Sequence, residues 1–167
     1  MSFPRRAFGA QALRRLAVIA TAVGSLAAVA TPVAAQTEVK LAYALAPTSH
    51  YGAGAAAWQA AIEKGVAGRY VVKQFPSSAL GGEREAVEGL QLGTVDAVIV
   101  STGTLSNFVP EVGVVDIPFL FRDITHARAT LDGAIGQDLL KKFHGRGLIA
   151  LAWGEQGFRQ LTDNKHP

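Results

Sequence analysis

No cysteine occurs among the 167 residues, which excludes disulfides, haem attachment, thiolate metal sites and acylation of a lipobox, while remaining compatible with export. Stability therefore has to come from packing alone. Charge is scarce at 17% of residues, and its sign is misleading. The chain carries 16 basic and 13 acidic side chains, but four arginines and no acid precede residue 36. The remainder has a net charge of −1 with its basic residues scattered, so it lacks the electrostatic footprint of a nucleic-acid partner. The four histidines, His50, His126, His144 and His166, have neither the H-E-x-x-H spacing nor another ligand spacing, and no metal is expected. A P-loop and a G-x-S-x-G elbow are both missing, as are internal repeats and low-complexity linkers. No cofactor is expected either.

What is present begins with an amino-terminal export pattern. Arg5, Arg6, Arg14 and Arg15 precede the uncharged run from Leu16 to Ala30, and Pro32-Val33-Ala34-Ala35 places small residues where a signal peptidase needs them. The run is shorter than the roughly 20 apolar residues that cross a bilayer, and Thr21, Gly24 and Ser25 interrupt it. The reading is a cleavable signal over residues 1–35 and a domain over 36–167. Arg5-Arg6-Ala7-Phe8 suits a twin-arginine route, and Arg14-Arg15 suits the general one.

Beyond residue 35 the pattern alternates. Val39 to Leu45 predicts a buried strand, broken by Ala46-Pro47-Thr48-Ser49. A helix follows, with Ala55, Trp58, Ala61, Ile62 and Val66 as its apolar stripe and Gly65 and Gly68 at its end. Arg69 to Phe75 predicts a second strand. Glu83 and Glu85 open a second helix, where carboxylates complement the helix dipole, with Val87, Leu90 and Leu92 on its buried face and Gly93 as its stop. Val95 to Val100 predicts a central parallel strand covered on both faces. Further helices are predicted over Asp123 to Leu131 and Ala134 to Phe143, then strands over Leu148 to Trp153 and Glu155 to Leu161. The layout is α/β.

Gly52, Gly54 and Ala57 fit the dinucleotide spacing G-x-G-x-x-A, but the context does not. Five residues, Pro47 to Tyr51, stand between the first strand and the first glycine, and Gln74 occupies the neighbourhood where an acidic residue would hold a ribose. What survives is a glycine-rich helix start with close backbone approach. Ligands of open α/β sheets bind beyond the carboxyl ends of the strands. Three polar clusters fall there, Thr48 to Tyr51, Ser77 to Glu83 and Ser101 to Thr104, and together they suggest a small polar ligand, although loops are polar in any case. Ser49 or Ser101 with His50 could be drawn as nucleophile and base, but no spacing supports it. Arg159 in GEQGFRQLT follows a predicted strand and could grip a carboxylate with two parallel hydrogen bonds; a surface arginine on a strand edge is the plainer alternative.

The stretches FPSSALGGERE, LQLGTVDAVIVSTGTLSNFVPEVGVVDIPFLF and LAWGEQGFRQLTDNKHP occur in that order. They resemble the DctP-type substrate-binding proteins of tripartite ATP-independent periplasmic (TRAP) transporters, from about Glu38 to Pro167. The resemblance implies a two-lobed, type II periplasmic binding fold that closes on a small organic acid such as a C4-dicarboxylate and hands it to the transporter's membrane subunits. It implies a periplasmic location and no enzymatic activity. Members are about twice the length of residues 36–167, so the chain is expected to supply mainly the N-terminal lobe and the first crossing strand, without the main carboxylate-gripping arginine of the second lobe. Arg159 matches the arginine of the G-x-R motif that helps bind the carboxylate, Glu83 an acidic cleft residue, and Ser101 and Thr102 the pocket-lining third loop. Tyr43, His50 and Tyr51 lie on the first-strand side, within reach of ligand, and Phe119 is expected in hinge or core packing. A binding protein of an ATP-driven importer would share the fold, and a periplasmic enzyme is the remaining alternative.

Overall fold

The computed structural model describes residues 36–66, 68–160 and 162–165; the export pattern over residues 1–35 lies outside them. Three parallel strands make one sheet: β1 (Thr37–Tyr43) in the centre, β2 (Tyr70–Phe75) on one side and β3 (Ala97–Ile99) on the other. Thr37 pairs with Tyr70 and Ala42 with Phe75, while Leu41 pairs with Ala97 and Tyr43 with Ile99. Helix α1 (His50–Gly65) connects β1 to β2, and α2 (Glu83–Leu92) connects β2 to β3. Because the crossover from β1 to β2 runs one way along the sheet and that from β2 to β3 returns past β1, the strand order 2-1-3 has a switch point between β1 and β3.

Successive side chains of a strand point to opposite faces, and β1 uses both. Leu41 and Tyr43 join Val72, Tyr51 and Ala55 in a core beneath α1, with Trp58 and Ile62 packed against it. Ala42, on the other face, meets Ala86 and Val95 beneath α2. A further cluster of Val87, Val109, Val112, Phe143 and Leu148 lies on the α2 side. The stripe predicted for α1 is present, except that Ala61 is exposed.

Local chemistry sets the helix ends. Ser49 caps α1 by accepting a hydrogen bond from the Gly52 N–H at 3.3 Å. At the end of α2, Gly93 takes φ 74°, which a residue without Cβ adopts at little cost, and the Thr94 N–H returns to the Gly89 carbonyl at 2.9 Å. Leu92, expected on the buried face, is 79% exposed; five positions beyond the buried Val87, it lies about 140° around the helix and faces away from the sheet. Helices α4 (Ile124–Leu131) and α5 (Ala134–Lys141) form as expected, after a four-residue α3 (Thr102–Leu105) where a polar loop was predicted. Asp123 caps α4 by accepting from the His126 N–H at 2.7 Å.

Four expectations need correction. β3 is an edge strand of the described sheet, although Val98 and Ile99 pack on opposite faces as a two-sided strand would. Residues Leu148 to Trp153 form no strand. Leu148 and Ala150 turn inward while Ile149 and Leu151 are exposed, a strand-like alternation, but no ladder of hydrogen bonds pairs the segment among the described residues. The same holds from Glu155 to Gln160, and Leu161 is outside the described residues. Phe119 is neither buried nor packed: it is 101% exposed, at φ 60°, in an apolar surface strip with Ile117.

Candidate functional site

The three loops beyond the strand ends converge. After β2, Ser77 and Ser78 take left-handed φ values of 54° and 58°, a conformation that costs energy for residues with a Cβ and persists where the surroundings enforce it. Their N–H groups reach back to the end of β1, from Ser77 to the Leu45 carbonyl at 2.9 Å and from Ser78 to the Tyr43 carbonyl at 3.3 Å. That fold-back delivers Glu83, the first residue of α2, to the rim between the start of α1 and the loop after β3.

The Glu83 carboxylate is the hub. Its Oε1 accepts from the Tyr51 hydroxyl at 3.1 Å and the Ser101 N–H at 3.2 Å. Its Oε2 accepts from the Ser101 hydroxyl at 2.5 Å and the Thr104 hydroxyl at 2.6 Å. A carboxylate offers about four lone-pair positions, and four donors occupy them. Tyr51 contributes from α1, Ser101 from the end of β3, and Thr104 from α3, three positions along the chain from Ser101. The Tyr51 oxygen in turn accepts from the Gln156 amide at 3.2 Å, which brings the carboxyl-terminal segment onto the same rim.

The electrostatics follow the contacts. Burial pushes the Glu83 carboxyl upward, but the hydrogen bonds from Ser101, Thr104, Tyr51 and the Ser101 backbone outweigh it, and the net effect holds its pKa below 4.5. Tyr51 is displaced well above its ordinary value of 10, first by burial and then by the Glu83 charge and the bond to it, with Arg159 and Gln156 acting the other way. The Arg159 charge is thus felt at the Tyr51 oxygen, although the side chain itself is exposed. Glu83 is an anion and Tyr51 a neutral phenol at neutral pH.

The remaining candidates separate. Thr102 lies at the rim, but its hydroxyl donates to Asp116 at 2.7 Å. His50 is exposed, its ring edge-on to Tyr51 with centroids 4.8 Å apart. Tyr43 is 3% exposed, inside the core beneath α1, and its hydroxyl donates to Gln74 at 2.8 Å. Gln74 donates onward to Gln59 at 2.6 Å, which gives the residue in the ribose position of the discarded dinucleotide motif a structural role. The close approach expected at Gly52 also has a structural partner: a Cβ there would stand 1.9 Å from the Pro47 carbonyl oxygen. Thr104 and Gln156 were not singled out from the sequence. The i, i+3 spacing from Ser101 on a short helix was the available signal for Thr104; Gln156 had none. Among the described residues no cluster of His, Asp or Glu is suited to a metal ion.

A parallel α/β lobe that gathers polar groups beyond its strand ends, at a switch point, has the architecture of a solute-binding domain. Residues 41–167 match the DctP family, bacterial extracellular solute-binding protein family 7, and the chain belongs to it. A solute-binding protein of Verminephrobacter eiseniae is 49% identical over 132 residues, which cover 79% of this chain and 39% of that protein. The crystal structure of a TRAP periplasmic solute-binding protein from Bordetella bronchiseptica, with density interpreted as pantoate, is 65% identical with a TM-score of 0.77, over 79% of this chain and 44% of that one. Another, from Polaromonas sp. JS666 and bound to D-erythronate, is 59% identical with a TM-score of 0.69, over 71% of this chain and 39% of that one. These neighbours have the two-lobed type II fold expected from the sequence, and the chain spans less than half of the length of each relative. The family consists of transport receptors rather than enzymes.

Proposed function

We propose that residues 36–167 form the N-terminal lobe and first crossing strand of a periplasmic receptor, exported by residues 1–35, that captures a small organic acid and delivers it to TRAP membrane subunits. The observation that carries this reading is the convergence of Tyr51, Glu83, Ser101 and Thr104, from three separate strand-end loops, into one network at the sheet's carboxyl rim. Solved relatives with pantoate and D-erythronate, both organic acids, support the ligand class. Arg159, whose charge reaches the Tyr51 oxygen, is the group on this chain assigned to the ligand carboxylate.

A charge-assisted hydrogen bond contributes about 1.5–3 kcal/mol, so Arg159→Ala is expected to weaken binding by roughly ten- to a hundredfold. Titration calorimetry on the full-length gene product, with a panel of organic acids, tests the reading. Heat from a neutral sugar or a peptide, with none from any organic acid, would reject it.

A further inference from the structure

We infer that the apolar groove between the Ile117–Leu120 turn and helices α4 and α5, with Phe119 standing beside it, is the seat of an apolar segment of the same polypeptide from beyond residue 167. The inference rests on the receptor reading above, in which residues 36–167 supply one lobe. It concerns a surface that shares no residue with the rim cluster around Glu83.

The groove has a volume of about 320 Å³ and is walled by Val114, Leu120, Phe121, Leu131, Ile135 and Leu139. Its two polar side chains are engaged on their own segment: the Thr130 hydroxyl donates to the His126 carbonyl at 2.8 Å, and His126 Nδ1 accepts from the Arg122 N–H at 3.4 Å. What the walls offer an occupant is therefore apolar contact, and Ile135 stands 63% exposed at the edge. Phe119 adds a second, independent sign. The Leu120 N–H returns to the Ile117 carbonyl at 3.2 Å, which makes Pro118 and Phe119 the central residues of a tight turn. Phe119 takes φ 60° there, at a position where glycine is the low-cost residue. A fully exposed phenyl ring gains no burial within this lobe to offset that strain. Strain of this kind persists where surrounding structure enforces it, and packing of the ring against further chain supplies the enforcement.

Charge and tethering choose the occupant. Between residues 114 and 139 stand four acids, Asp116, Asp123, Asp132 and Asp138, against Arg122 and Arg128. The net negative charge disfavours an anionic lipid surface, which is recruited by basic residues. A second copy of the chain would have to bind at its solution concentration, whereas a tethered segment acts at an effective concentration in the millimolar range. Ample chain exists for the purpose in the relatives: the match spans 39–44% of the length of each, so more than half of every one lies outside it. An apolar strip of this kind, rimmed by charged side chains, marks an interaction surface rather than a solvated one, and the same polypeptide is the partner that reaches it first.

Photo-cross-linking on the full-length gene product tests this. With Phe119 replaced by its photoreactive analogue p-benzoylphenylalanine, irradiation should give a cross-link at monomer mass, and mass spectrometry of the digest should place its far end in an apolar peptide beyond residue 167. A cross-linked dimer, a cross-link confined to residues 1–167, or no cross-link at all would each overturn the inference. In the same full-length protein, Phe119→Ser should lower the melting temperature by at least about 3 °C, because a covered ring is lost. A ring left in solvent would shift it by about 1 °C or less, which would also overturn the inference. Calorimetry with organic acids on the unlabelled protein reports on the receptor reading separately: binding without the expected cross-link removes the seat alone, and a cross-link without binding of any organic acid removes the receptor reading alone.

Discussion

Gly52 and Gly54 stand two positions apart in α1, and the structure assigns them opposite responses to the same substitution. A Cβ at Gly52 would lie 1.9 Å from the Pro47 carbonyl oxygen, 2.5 Å from its carbon and 2.8 Å from the Pro47 Cα. All three obstacles are backbone, so no rotamer change relieves them, and the Ala46–Ser49 turn would have to move by more than an ångström. Overpacking against backbone that cannot turn aside falls in the upper part of its range, about 2–3 kcal/mol, against which alanine returns about 0.8–1 kcal/mol of helix propensity. The clash wins, and Gly52→Ala should lose about 1–2 kcal/mol, lowering the melting temperature by roughly 3–8 °C for a domain of this size. At Gly54 the nearest atom is Ile99 Cδ1 at 3.9 Å, an ordinary contact, so only the propensity remains and Gly54→Ala should raise the melting temperature by about 3 °C. Thermal and urea unfolding of the two variants beside the parent provide the comparison. A neutral or stabilising Gly52→Ala, or two variants that shift in the same direction, would refute the reasoning that ties Gly52 to the Pro47 turn.

Two titrations probe the rim. Because the folded pKa of Glu83 is depressed below 4.5, its network should contribute stability that is fully present above that pH and lost as pH falls through the folded value. The gap in urea midpoint between the parent and Glu83→Gln should therefore stay level from pH 7 to about 5 and close in stronger acid; a gap unchanged down to pH 3 would contradict the network. Tyr51, raised above 10 by burial and by Glu83, should stay neutral while ordinary phenols ionise, and its contribution should persist below pH 10 and vanish as pH rises through the raised folded value. Ultraviolet titration should show a late-ionising phenol that Tyr51→Phe removes; loss of an ordinary step near pH 10 instead would place Tyr51 in solvent.

The elements were legible in the sequence because burial acts face by face on the local chain. The spacing of Ala55, Trp58 and Ile62 gives α1, the glycine after Leu92 ends α2, and VDAVIV gives a strand with Val98 and Ile99 packed on opposite faces. The same logic failed from Leu148 to Trp153. Alternation there is real, but a strand also needs a neighbour with free ladder groups, and no local pattern reports whether one stands alongside. Phe119 failed for the related reason that an apolar residue is buried only if something is present to cover it.

The rim divides in the same way. The sequence by itself determined that polar loops follow each strand and that Tyr51, Glu83 and Ser101 lie in them, since these depend on where strands stop. Only the tertiary structure decided that Glu83 accepts from residues 32 positions before it and 18 and 21 positions after it. The 2-1-3 strand order and the fold-back at Ser77 and Ser78 set those distances. Which hydroxyl gives its proton to which oxygen is fixed by separations of a few ångströms between chain-distant atoms, and local periodicity carries no record of them.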